Sequence, residues 1–206
     1  MDRIDAGLKL LELAVDGDGL ERVLHPIEEA IRASFLRMED ADDGSEFADI
    51  VEEEEADVVE NLLGAAFVVC QARIAKITTR FVRLETACGA PLPGGPHKKH
   101  TVVRRQSPTV GATTYTTVEL INHVANYYKH HSEWHRPWSA IADPMTKRTR
   151  DAVISLGADE AAIGNMRRLT RELTGDDDLS NLEPLVEAVV TWGHRLRDEI
   201  AAHLGR

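Results

Sequence analysis

Aromatic side chains make up only 5% of this 206-residue chain, and its β-branched residues do not gather into alternating runs. Both shortages argue against a sheet. Cys70 and Cys88 are the two cysteines, with no CxxC pair, which removes a thiolate zinc site. Nothing demands an oxidising compartment, so the cytoplasm is expected. Cys70 lies in the apolar segment GAAFVVC and reads as a small core residue. No unbroken apolar run approaches the roughly 18 residues of a membrane span. The opening MDRIDAGLKLLELAVDGDG has neither the basic start nor the long apolar stretch of a signal peptide, so no membrane partner is expected. Dinucleotide, P-loop, nucleophile-elbow and HExxH motifs are all missing, and no cofactor is expected.

Lysine and arginine are absent from residues 39–60, which hold twelve acids. The chain carries a net charge of −11, so the remainder sums to +1. An acidic total excludes indiscriminate coating of nucleic acid but leaves room for a local basic RNA site. The acidic segment itself reads as a solvated face or as a surface for a basic protein partner.

What is abundant is helical periodicity. Ile4, Leu8, Leu11 and Val15 predict a helix over 3–15, broken by DGDG at 16–19. A second helix is expected over 20–38, with Pro26 bending it or marking its true first turn. Residues 39–50 read as an acidic loop. A long central helix follows from about 50 to 87, with Val58, Leu62, Val69, Arg73, Ile77, Phe81 and Leu84 in rhythm and Gly89 closing it. Residues 89–115 contain four prolines and read as a flexible basic loop carrying Lys98, Lys99, Arg104 and Arg105. Helices are further predicted over 117–132, 146–156 and 159–174. The last helix starts from a capping box, Ser180 with Glu183, and Pro184 in its first turn. The whole is a single all-α domain over 1–206, a bundle of six or seven helices.

One segment concentrates chemistry. ELINHVANYYKHHSEWHRPW, residues 119–138, holds four of nine histidines, two of three tyrosines and two of three tryptophans. Two readings stand. In one, its histidines and Tyr127 hydrogen-bond to neighbouring helices as core. In the other, Asn126, Lys129, His130 and Glu133 form a polar binding pocket, with Lys98, Lys99, Arg104 and Arg105 of the basic loop available to an anionic ligand. His131 and His135, four apart, could share a metal ion, but no third ligand is fixed. Two pieces, NLLGAAFVVCQARI and VANYYKHHSEW, are similar to stretches of uncharacterised bacterial helical proteins, which bears on fold rather than activity.

The last helix contains RDEIAAH, residues 197–203. Arginine, then an aspartate, then four residues and a histidine resembles the signature of the HEPN superfamily, all-α proteins that include ribonuclease toxins and phage-defence effectors. The resemblance implies metal-independent RNA cleavage at a site formed across a homodimer. His203 would be the acid/base, Arg197 the phosphate clamp and Asp198 a positioning group. On one ideal helix the Arg197 and His203 side chains point about 120° apart and lie about 9 Å apart along the axis. Arg197 reaching round, fraying of the helix end, or pooling of two subunits' motifs would each close that separation, and the dimer that the resemblance implies fits the last. The competing reading is a solvated C-terminal turn with His203 favouring the negative helix end, in a non-catalytic module that binds a protein, antitoxin-like or regulatory, through its acidic segment.

Overall fold

A single helix of 41 residues, Ala48–Cys88 (α3), runs through the molecule as its axis. Its buried positions, Val59, Leu63, Phe67, Cys70, Ile74, Ile77, Phe81 and Leu84, recur every three or four residues. This stripe is one residue out of phase with the sequence expectation in its first half. Val58 is 41% exposed and Val59 fully buried. The run VVENLLGAAFVVC is apolar on nearly every side, so periodicity alone leaves the phase open. Gly89 ends the helix with φ 62°.

The computed structural model describes residues 3–41, 47–89, 91–134 and 137–206. Against α3 pack Arg3–Val15 (α1), Asp18–Ala41 (α2), Thr117–His130 (α5), Asn165–Thr174 (α7) and Glu183–His203 (α8). Lys99–Val102 (α4) is a single turn, and Pro144–Ser155 (α6) rests on α5. Among the described residues there is no strand, and the chain is an all-α bundle around a long central helix. α8 approaches α1 closely at Gly193, where an added Cβ would fall 2.8 Å from Val15 and 3.2 Å from Ile77.

Several boundaries differ from expectation. α2 begins at Asp18, holds Pro26 in its interior rather than its first turn and continues to Ala41, and α3 begins at Ala48. Both ends of the acidic 39–50 stretch are therefore helical, while residues 42–46 lie outside the described residues. The 89–115 stretch contains α4 and closes with a bridge between Thr109 and Thr116. α7 starts only at Asn165, because Asn165 turns back to bind Asp159 and Ala162 instead of continuing a helix from 159. The capping box foreseen for α8 does not form. Ser180 Oγ donates to Asp178, and Leu182 takes the cap position with its N–H on Glu28. The capping box forms at α5 instead, between Thr116 and Glu119.

α3 also qualifies one expectation about membranes. It contains an 18-residue window of mean hydropathy 1.4, long and apolar enough to cross a bilayer by composition. Here that apolar surface faces helices on several sides.

Candidate functional site

The α5 capping box fixes the mouth of a cleft. Thr116 Oγ1 accepts from the Glu119 N–H at 3.3 Å, and the Thr116 N–H donates to Glu119 Oε2 at 3.1 Å. The other oxygen, Oε1, receives Arg148 Nη2 of α6 at 2.9 Å and Arg104 Nε at 3.2 Å. Glu119 is 2% exposed, whereas Arg104 and Arg148 keep 53% and 42% of their side chains in water. Two guanidiniums thus share one carboxylate oxygen, leaving net positive charge at the surface. Lys99 adds a third fixed cation, lining the same cleft from α4.

From Glu119 the stripe Asn122, His123, Asn126 and His130 continues at helical spacing and forms one wall of a cleft of about 420 Å³. α3 contributes Ile74 and Thr78, the loop around α4 Lys99, His100 and Val103, and α6 Thr146, Arg148 and Thr149. Trp134 lines one end. The asparagines are oriented by Gln71 of α3. Its Nε2 donates to Oδ1 of Asn122 and of Asn126, both at 2.9 Å, while its Oε1 accepts from Lys129 Nζ at 2.7 Å. With both Oδ1 atoms engaged, the Nδ2 hydrogens of the asparagines are the donors the cleft offers a ligand.

His123 belongs to the floor. It is 7% exposed, stands 3.1 Å from Thr149 Oγ1 and meets Tyr115 edge-on. Burial, reinforced by the nearby Arg148 charge and opposed by Glu119, lowers its pKa to about 4. It is therefore neutral near pH 7. His100 and His130 are exposed, with His130 Nδ1 3.5 Å from Glu133.

The polar-aromatic segment thus divides between both readings of the sequence. Asn126 and His130 line the cleft, Lys129 and Glu133 brace it from the side. Behind the cleft end Tyr127 and Trp138 pack edge to face with each other and with Trp134 at 5.3–5.9 Å. The Tyr127 hydroxyl accepts from Asn165 at 2.9 Å. His131 caps the end of α5 through the Tyr127 and Tyr128 carbonyls; its proposed metal partner His135 lies outside the described residues. Among the described residues no three His, Cys, Asp or Glu side chains converge as a metal site. Cys70 is sealed in the core, its thiol pushed up to about 12 by burial.

The basic loop also divides. Lys98 and Arg104 are exposed along one shallow strip, while Lys99 lines the cleft itself. Arg105 turns inward, clasping Glu199 of α8 with Nε and Nη2 and meeting His97 through Nη1. The α8 residues stand away from the cleft, and neither Arg197 nor His203 lines it. Arg197 is 29% exposed, bound to Asp198 at 2.6 and 2.9 Å and 3.6 Å from Glu12 of α1. His203 is exposed in the last turn.

Glu119, Arg148, His100 and Gln71 escaped the sequence reading. The pair T116–x–x–E119 was a legible capping box, while Gln71 and Arg148 reach the site only through tertiary packing. No protein family, curated protein or solved structure matches the chain.

Proposed function

We propose that this protein binds RNA, with a phosphate seated against Lys99, Arg104 and Arg148 and the adjoining nucleotide entering the cleft along α5. The observation that carries the reading is the shared Glu119: two guanidiniums, Arg104 and Arg148, converge on one carboxylate at a cleft that Lys99 also lines, in a chain of net charge −11. Backbone phosphate attracts such a patch without regard to sequence. Asparagine amides and a tryptophan at the cleft end suit an unstacked base, the form in which single-stranded RNA is read.

Cleavage is the second part of the proposal. The RDEIAAH sequence of α8 resembles the HEPN ribonuclease motif, and Arg197 and His203 both reach the surface, where a second copy could complete the site. The dimer, the toxin or phage-defence role and the catalytic assignment stand or fall with that activity.

One experiment separates the parts. A labelled single-stranded RNA of about twelve nucleotides is titrated by anisotropy across roughly 50–200 mM salt, and its integrity followed on gels with and without chelator. Lys99→Glu should weaken binding and reduce the salt slope by about one. Arg197→Ala with His203→Ala should leave binding intact and abolish any cleavage. RNA binding unaffected by Lys99→Glu and Arg148→Gln would remove the cleft from the reading.

A further inference from the structure

The phase shift in α3 has a counterpart on the surface. Phe47, Ile50 and Val58 are 62%, 53% and 41% exposed. They stand three and eight residues apart, with Glu54 between the last two, so all four fall on one side of the first three turns. This stripe is about 16 Å long. Asp49, Glu53 and Asp57, all exposed, follow its flank. Glu55 is taken by Arg37 of α2 and Glu60 by Arg167 of α7. Asp49, Glu52, Glu53, Glu54 and Asp57 make no ion pair among the described residues, and α3 has no lysine or arginine before Arg73.

Exposed large apolar side chains in a helical row, surrounded by uncompensated carboxylates, specify the chemistry of what would cover them. The apolar row matches the i, i+3, i+4 anchors of an amphipathic helix lying alongside. The charge demands lysine or arginine flanking those anchors. Nucleic acid and anionic lipid are repelled by the same carboxylates. We propose that the exposed face of the first three turns of α3 docks a basic amphipathic helix of a partner protein. The RNA cleft meets α3 only at Ile74, Ala75 and Thr78, further along the helix, and shares no residue with this face.

The probe is a designed leucine–lysine helix of about 14 residues, compared with a scrambled peptide of identical composition and no apolar face. Binding is measured by anisotropy on the full chain, with helix content followed by circular dichroism. The ordered peptide should bind about tenfold or more tighter than the scrambled one. Ile50→Ser with Val58→Ser, both at exposed positions, should erase that preference, and Glu53→Lys with Asp57→Lys should weaken both peptides. Lys99→Glu should change neither. Equal binding of the two peptides overturns the proposal, as does a preference that survives Ile50→Ser with Val58→Ser. A wild-type dimer that these substitutions convert to monomer in light scattering would assign the face to a second copy and overturn it equally.

Discussion

The His97 ring meets the Glu85 carboxylate at 2.7 Å, Nδ1 to Oε1, with 8% and 2% of their side chains exposed. Arginine can only donate, so His97 Nε2, 2.9 Å from Arg105 Nη1, is an acceptor and Nδ1 carries the proton toward Glu85. Glu85 also accepts the backbone N–H groups of Leu92 and His97. One buried carboxylate of α3 therefore ties down the loop that presents Lys99, His100 and Arg104 to the cleft.

That arrangement predicts an acid-sensitive fastening. Burial alone would raise the Glu85 carboxyl; the hydrogen bonds from the His97 backbone and ring and from Leu92 outweigh it and hold its pKa below the ordinary range. A depressed carboxylate contributes stability above its unfolded pKa, and loses it as pH falls through the folded value. Glu85→Gln should therefore cost about 1–3 kcal/mol at neutral pH, with the difference from wild type shrinking progressively below about pH 4.5. Urea denaturation of both proteins along a pH series reads this directly. A difference independent of pH would show that the carboxylate charge does not hold the loop.

His123 gives a separate window. Its folded pKa of about 4 lies below the unfolded value of about 6.5. The unfolded chain then binds the extra proton first, so stability falls as pH drops from about 6.5 toward 4. The full penalty is roughly 3 kcal/mol. His123→Asn, which keeps a polar atom near Thr149, should flatten the stability profile in this window without touching the one below it. A C2-proton titration of wild-type His123 by NMR gives the same number independently.

Gly64 carries the Tyr128 ring on its backbone. A Cβ there would fall 2.1–2.4 Å from three ring carbons, including the branch point. The ring would have to swing away and give up its contact with Asn61. Gly64→Ala should destabilise by about 1–3 kcal/mol through overpacking, despite the gain of roughly 1 kcal/mol that alanine brings to a helix. In a Tyr128→Ala background the clash is gone, and the same substitution should stabilise. Chemical denaturation of the four proteins in the cycle measures the reversal.

Why some of this was legible in sequence and some not follows from range. α1, α3 and α5 declared themselves by periodic apolar residues and the end of α3 by Gly89, all within a few positions; the Thr116–x–x–Glu119 box was equally local, but the box was expected at Ser180 and Glu183 instead. The phase of α3 did not, because Val58 and Val59, or Leu62 and Leu63, are equally apolar; only the position of α2 and α5 decides which is buried. Asn126 and His130 stood out by composition. The orientation of Asn126 depends on Gln71, about fifty residues earlier, and the charge of the cleft on Arg104 and Arg148 meeting at Glu119. Arg105 could not be told from Arg104 by sequence, yet one faces Glu199 and the other the cleft mouth.

Glu119 offers a prediction in which stability and binding move in opposite directions. Its carboxylate accepts from Thr116, Arg104 and Arg148 while almost wholly buried. Glu119→Gln keeps an acceptor for the Thr116 N–H but removes the charge both guanidiniums share. The fold should lose about 1–3 kcal/mol, the scale of weakened charge-assisted hydrogen bonds, since both guanidiniums stay about half in water. The cleft at the same time gains one net positive charge. In the proposed RNA complex, affinity at low salt should rise and the salt dependence steepen. Were RNA affinity instead to fall in parallel with stability, Glu119 would be acting on the ligand only through the fold, and the phosphate seat between Arg104 and Arg148 would have no support.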